Sequence, residues 1–253
     1  MNFLTEILTK KQAELQDLEP VVPVENPISR PSLVNLLSQH PKHVQLIGEI
    51  KRASPSKGSI NEQVDIKTQV ARYEEANVCA ISVLTDPYFF HGSIQDLKTV
   101  ASLTTLPLLC KDFILDERQI IRAKQAGASI ILLIVACLSS KRLAELFAFA
   151  TTLGLEVLVE THDEAEIKQA QALQAPLIGV NNRNLETFEV SLEVSERCAP
   201  LKQEHFYISE SGFKTAEDVK RVAHAYDAIL VGETLMRSLD IKKTAHALQV
   251  IRT

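Results

Sequence analysis

The sequence predicts a (β/α)8 barrel with a helical extension at its N-terminus. Two observations on residues 45–253 predict it. Eight short apolar runs recur along that stretch, and helical patterns stand between them. The runs are dense in Ile, Leu and Val with little polar alternation, which suits parallel strands covered by helices on their outer side. A chain of 253 residues is long enough for one such barrel or for two smaller domains. An open doubly wound sheet shares the rhythm, but the Gly-rich dinucleotide fingerprint that often accompanies it is missing.

Taken in order, residues 3–18 read as one helix, with Phe3, Leu4, Ile7, Leu8, Leu15 and Leu18 forming a partial apolar stripe. "PVVPVENPISRP" breaks regularity, and "SLVNLLSQH" reads as a short helix. Residues 1–44 are therefore expected to form an extension packed on the barrel, over one mouth. The predicted strands are "VQLIGEI", "VCAISVLT", "LPLLC", "SIILLIV", "LEVLVE", "PLIGVN", "HFYISE" and "AILVGE". Helical patterns such as "VDIKTQVARYEEA", "DERQIIRAKQAGA", "SSKRLAELFAFATTLG" and "DEAEIKQAQAL" separate them, and Gly127 and Gly154 are placed to end two helices.

Composition narrows the function. The formal charge is −5 and no basic stripe is evident, so a nucleic-acid partner is not expected. Cys79, Cys110, Cys137 and Cys198 are widely spaced with no CxxC pair, which argues against disulfides or a zinc site and for a reducing cytoplasm. The N-terminus carries several acids, unlike a signal peptide. The longest apolar run, "IILLIVACL", is about half of what a bilayer span needs, so no membrane partner is expected.

Charges fall where such a barrel works. Polar groups recur at the C-terminal ends of the runs: Glu49 and Lys51, Asp86, Lys111 and Asp112, Glu160, Asn181 and Arg183, Glu210 and Ser211, and Glu233. Active sites of this fold are built at that end from several strands. Ion pairs plugging the barrel are the alternative, since buried charges are costly unless paired or solvated. Asp86 and Asp112 are read as caps of the following loop or helix. Gly212 and Gly232 follow the seventh and eighth strands, where phosphate sites of this fold are commonly made from backbone N–H groups. The lysines can protonate an oxyanion or pair with an anion, and the carboxylates can accept protons. No HExxH motif, histidine cluster or cysteine set suggests a metal ligand field. His91 and His162 are read as loop residues without catalytic duty. The residues by themselves point to an acid–base enzyme acting on a sugar-phosphate-like anion.

Six stretches carry a resemblance: "GEIKRASPSKG", "LPLLCKDFI", "LGLEVLVETH", "IGVNNRNLETF", "ISESG" and "LVGETLMR". In order and content they resemble the indole-3-glycerol-phosphate synthase family. The resemblance implies ring closure, decarboxylation and dehydration of 1-(2-carboxyphenylamino)-1-deoxyribulose 5-phosphate in tryptophan biosynthesis, with no cofactor or metal. By that resemblance Lys111 is the general acid at the ketone oxygen and Glu160 the partner base. Lys51 contacts the carboxylate or phosphate side and serves in the dehydration, the division between the two lysines staying open. Glu49 and Glu210 orient them. Asn181 and Arg183 hold the substrate carboxylate and ring, with Ser211 close by and Ser54 near the substrate. The backbone at Gly212, Gly232 and Glu233 cradles the phosphate, and the Glu233 carboxylate must turn away from it. Phe113, Phe90, Leu133 and Leu185 are expected to wall the anthranilate ring. Residues 26–45 match the family's usual extension poorly, and the chain leaves no room for the isomerase that is fused to this enzyme in some bacteria.

Two rivals remain. Phosphoribosylanthranilate isomerase chemistry would need a Cys and Asp pair at strand ends, but Cys110 alternates with Lys111 and faces away from it. A non-catalytic binding barrel would be expected to lose part of the lysine and glutamate set, which is complete here.

Overall fold

The computed structural model describes residues 3–18, 29–55, 58–199 and 205–252. Most of "PVVPVENPISRP", together with Ser56 and Lys57 of the loop after the first strand, lies outside the described residues. Eight parallel strands close into a barrel: β1 (Gln45–Ile50), β2 (Ala80–Leu84), β3 (Leu108–Lys111), β4 (Ile130–Ile134), β5 (Glu156–Thr161), β6 (Leu177–Asn181), β7 (Phe206–Glu210) and β8 (Ala228–Val231). Each pairs with its neighbours in sequence, and β8 closes on β1 with Gln45 beside Ala228 and Gly48 beside Val231.

Helices α3 (Ile66–Glu75), α4 (Ile94–Leu103), α5 (Glu117–Gln125), α6 (Ser140–Thr152), α7 (Glu164–Ala172), α8 (Glu193–Arg197) and α9 (Ala216–Lys220) follow the first seven strands in turn. Two helices, α10 (Glu233–Met236) and α11 (Ile241–Leu248), follow β8. Most begin on a side-chain cap. Asp65, Ser93, Asp116, Ser139, Asp163, Thr215 and Asp240 each accept from a first-turn N–H. A small hairpin, Ala53–Ser54 against Gly58–Ser59, follows β1.

The unbroken apolar runs have a direct cause, because both faces of every strand are buried. Ile47, Leu109, Leu132, Leu158, Ile208 and Leu230 form the inner core. Leu46, Val83, Ile131, Leu133, Val159 and Val180 pack outward against the helices.

The extension touches both ends of the barrel. α1 (Phe3–Gln16) lies at the C-terminal ends of the strands, where Lys11 Nζ meets Asp86 at 2.9 Å and Asp112 at 2.7 Å. α2 (Leu33–Gln39) docks at the opposite end. There Glu156, the first residue of β5, accepts from Ser32 Oγ at 2.6 Å and from the N–H groups of Leu33 and Val34 at 2.7 and 3.1 Å. One carboxylate thereby satisfies donors that the first turn of a helix leaves open and sits at its positive end. Arg30 donates to the carbonyls of Ala101, Thr104, Leu106 and Gly127. No described helix is long and apolar enough to cross a membrane.

Candidate active site

A cavity of about 650 Å³ opens at the C-terminal ends of the strands. Period-two alternation aims the charges into it. Glu49 shares the inner face of β1 with Ile47, Lys111 that of β3 with Leu109, and Glu160 that of β5 with Leu158. Lys51, Asn181, Arg183, Ser211, Gly212, Gly232 and Glu233 also belong to its lining. Of the charged strand ends that the sequence places at one mouth, Glu49, Lys51, Lys111, Asp112, Glu160, Arg183 and Glu233 line it, whereas Asp86 and Glu210 do not.

The centre is one ammonium among three carboxylates. Lys111 Nζ touches Glu210 Oε2 and lies 3.7 Å from Glu160 Oε2 and 3.9 Å from Glu49 Oε1. Burial pushes the ammonium down, but Glu210, Glu160 and Glu49 outweigh it, so Lys111 stays charged and its pKa rises above the ordinary lysine value. Lys51 Nζ pairs with Glu49 Oε2 at 2.5 Å. Burial raises the Glu49 carboxyl, and Lys51 and Lys111 together reverse the sign, holding it below its ordinary value. Asn181 Nδ2 donates to Glu160 Oε1 at 3.0 Å, while Asn181 Oδ1 accepts from Ser211 Oγ at 2.9 Å and from the Arg183 N–H at 3.0 Å. β5, β6 and the loop after β7 are thus tied into one polar rail.

The loop after β7 turns through two left-handed residues, Ser211 (φ 69°) and Gly212 (φ 100°). Gly232 answers to a close approach instead. A Cβ there would stand 2.2 Å from Glu49 Oε2 and 3.2 Å from Lys51 Nζ. The Glu233 carboxylate lies 3.2 Å from Arg237 Nε, its side chain engaged along its own helix.

Phe90, Phe113 and Leu185 line the wall, the two rings 6.3 Å apart. Ser54 also lines it, and its buried Oγ has no protein partner. Two readings need correction. Leu133 does not line the cavity: it is fully buried against the helices, and Leu132 and Ile134, one residue to either side, face inward instead. In an all-apolar run nothing in the sequence marks which parity faces the barrel. Glu210 lies beneath the floor, fully buried, and reaches the cavity only through Lys111.

Sequence reading missed three contributions. Phe3 and Ile7 of α1 form part of the wall. Lys11 is buried, and it engages Asp86 and Asp112, which also cap their own loops by accepting from Phe89 and Phe113 N–H. The available signal was a lysine four residues after Ile7, interrupting the apolar stripe. His162 is no idle loop residue. Its ring is mostly buried, with Nε2 3.3 Å from Glu160 Oε1 and Nδ1 3.0 Å from Glu166 Oε2. Among the described residues no group of His, Cys, Asp and Glu is arranged to hold a metal.

A family model described as indole-3-glycerol phosphate synthase matches residues 4–248. The chain belongs to this family. The chain is 53% identical over 253 residues to the indole-3-glycerol phosphate synthase of Listeria welshimeri, covering 100% of both. Identity to the Streptococcus pneumoniae family member is 48% over 251 residues, covering 98% of this chain and 97% of that one. Among solved structures, 3-hexulose-6-phosphate synthase aligns with a TM-score of 0.62 at 15% identity, over 81% of this chain and 98% of that one. Thiamine phosphate pyrophosphorylase from Pyrococcus furiosus gives 0.60 at 15%, over 81% and 93%. At that identity these two share the fold and nothing more with this member of the indole-3-glycerol phosphate synthase family.

Proposed function

We propose that the chain converts 1-(2-carboxyphenylamino)-1-deoxyribulose 5-phosphate to indole-3-glycerol phosphate, carbon dioxide and water, as a carboxy-lyase of tryptophan biosynthesis. The observation that carries the reading is the charged Lys111 at the cavity floor, with Glu160 3.7 Å away on β5, two strands along the barrel. An acid and a base within reach of one small molecule are what this reaction needs.

Their positions, together with the family resemblance, support the following roles. The ring carbon bearing the carboxylate attacks the sugar ketone, and Lys111 delivers a proton to the ketone oxygen as negative charge develops there. Carbon dioxide then leaves, and its bonding pair restores the aromatic ring. In the dehydration the new hydroxyl departs as water with a proton from a lysine, Lys51 or Lys111. Glu160 takes the carbon-bound proton whose loss completes the indole. Arg183, Asn181, Ser211 and Ser54 hold the carboxylate and sugar, and Phe90, Phe113 and Leu185 take the anthranilate ring. Backbone N–H groups at Gly212, Gly232 and Glu233 receive the phosphate, while the Glu233 carboxylate stays with Arg237. Glu210 works from below, holding Lys111. The four cysteines are free thiols, which suits a reducing cytoplasm.

Indole-3-glycerol phosphate formation, followed by fluorescence, tests this. Lys111→Ala is expected to lower turnover by about 10²–10⁴-fold or more, the usual contribution of one acid–base group. Full activity in that variant moves the acid to Lys51, and a folded wild type without turnover overturns the reading.

A further inference from the structure

We propose that His162 is a positioning residue for the base. Held by Glu166, it keeps Glu160 ionised by its charge, and so decides which of the two carboxylates sharing Lys111 is free to accept a proton. The inference rests on the reading above, in which Glu160 is the acceptor.

The site poses a problem of charge. Three buried carboxylates, Glu49, Glu160 and Glu210, crowd round the Lys51 and Lys111 ammonium groups, with the Arg183 guanidinium acting on Glu49 as well. In an enclosed place, carboxylates held this close drive one another's titrations apart. Lys51 secures Glu49, which leaves Glu160 and Glu210 competing. Lys111 does not choose in favour of Glu160, since it touches Glu210 and stands 3.7 Å from Glu160.

What separates the two is the far oxygen. Glu210 Oε1 is buried with no partner. Glu160 Oε1 accepts from Asn181 Nδ2 at 3.0 Å and has His162 Nε2 at 3.3 Å, off the line of a hydrogen bond but within ion-pair distance. The imidazole is itself gripped. Glu166 Oε2 takes the His162 N–H at 2.7 Å and meets Nδ1 at 3.0 Å. The N–H of Glu166 in turn donates to the α7 cap Asp163 at 2.8 Å. His162 does not line the cavity, so it acts through Glu160 and not on substrate.

The groups facing this pair come from five elements: Glu166 on α7, Asn181 on β6, Lys111 on β3, Glu210 on β7 across Lys111, and Cys137 in the turn after β4, which burial keeps a neutral thiol. Burial pushes the imidazole down, but Glu160 and Glu166 overcome it and raise it to about 10. Burial likewise pushes both glutamates up. Lys111, His162 and Asn181 bring Glu160 well below the carboxylate range, whereas Lys111 does not offset burial and the charge of Glu160 at Glu210, which ends raised.

Two measurements test the proposal. In the wild type, the ¹⁵N signals of the His162 ring should remain those of a doubly protonated imidazole through pH 8, and in Glu160→Gln the ring should titrate at lower pH. A wild-type ring that titrates near its ordinary value of about 6.5 overturns the proposal without touching the activity. In turnover, His162→Gln should move the acid limb of the kcat profile up by about one pH unit or more, the effect of losing an opposite charge at this range, with KM little changed. Glu166→Gln should move it in the same direction by less, and it keeps the test open should His162→Gln not fold. A fall in kcat at all pH values with the acid limb unmoved overturns the proposal. Full turnover in Glu160→Gln would instead overturn the role of Glu160 as base.

Discussion

Gly232 shows how one missing side chain sets a site. From the sequence it is expected in a phosphate loop, and its nearest constraint in the structure is the Glu49–Lys51 pair, with Glu49 Oε2 2.2 Å from where a Cβ would stand. Both atoms it would meet are ends of flexible side chains, so alanine can be accommodated by pushing the pair aside. Gly232→Ala is expected to leave the melting temperature nearly unchanged and to lower kcat by about 10²-fold, the order that a misplacement near 1 Å costs. Steady-state kinetics beside a thermal melt would check it, and a large fall in stability would show that the backbone and not the pair had moved. Lys51 and Glu49 were legible at this scale because period two alone puts residues 49 and 51 on one face. Leu133 was not, because a run with both faces buried carries no mark of parity.

At the scale of the element, α1 is held to the barrel by opposite means along its length. Phe3 packs edge-on against Phe89 and Phe188, with centroids 5.1 and 4.5 Å away, while Lys11 reaches Asp86 and Asp112 from a fully buried position. Removing one partner of a buried ion cluster strands the others, so Lys11→Met should destabilise the fold by about 3–5 kcal/mol, read from urea unfolding. It should also raise KM, because Phe3 and Ile7 on the same helix form cavity wall. Unchanged stability would mean that the two aspartates find other partners. The helix itself was legible from its stripe. Packing over one mouth was expected too, but the Lys11 tether was not, since Asp86 and Asp112 stand 75 or more residues away in sequence and as strand-end caps they gave no hint of a second duty.

For the whole molecule the buried titratable groups set a pH window. His162 has a folded value of about 10 against an ordinary 6.5, so its contribution is complete below about 6.5 and is lost as pH rises through about 10. Glu160 is depressed, so its contribution is present above the ordinary carboxylate value and is lost as pH falls through its folded value. Glu210 is raised and works against Glu160, its contribution fading as pH rises. The urea midpoint of the wild type should therefore decline between about pH 6.5 and 10, and His162→Gln should flatten that decline. Equal slopes in both proteins would sink the assignment of that window to His162.

The sequence by itself determined the barrel, because eight apolar runs at a regular interval admit few ways of burying both faces. It also determined the polar set at the mouth, because strand-end positions are periodic and their chemistry is written in residue type. The family followed from the same motifs. Tertiary structure alone decided that α1 and α2 sit at opposite ends of the barrel, that Glu210 lies beneath the floor, and that His162 stands against Glu160. Each of these depends on distances between side chains from different elements. A local pattern specifies which way a side chain faces along its own strand or helix, and the charges it then meets are set by the closure of the barrel.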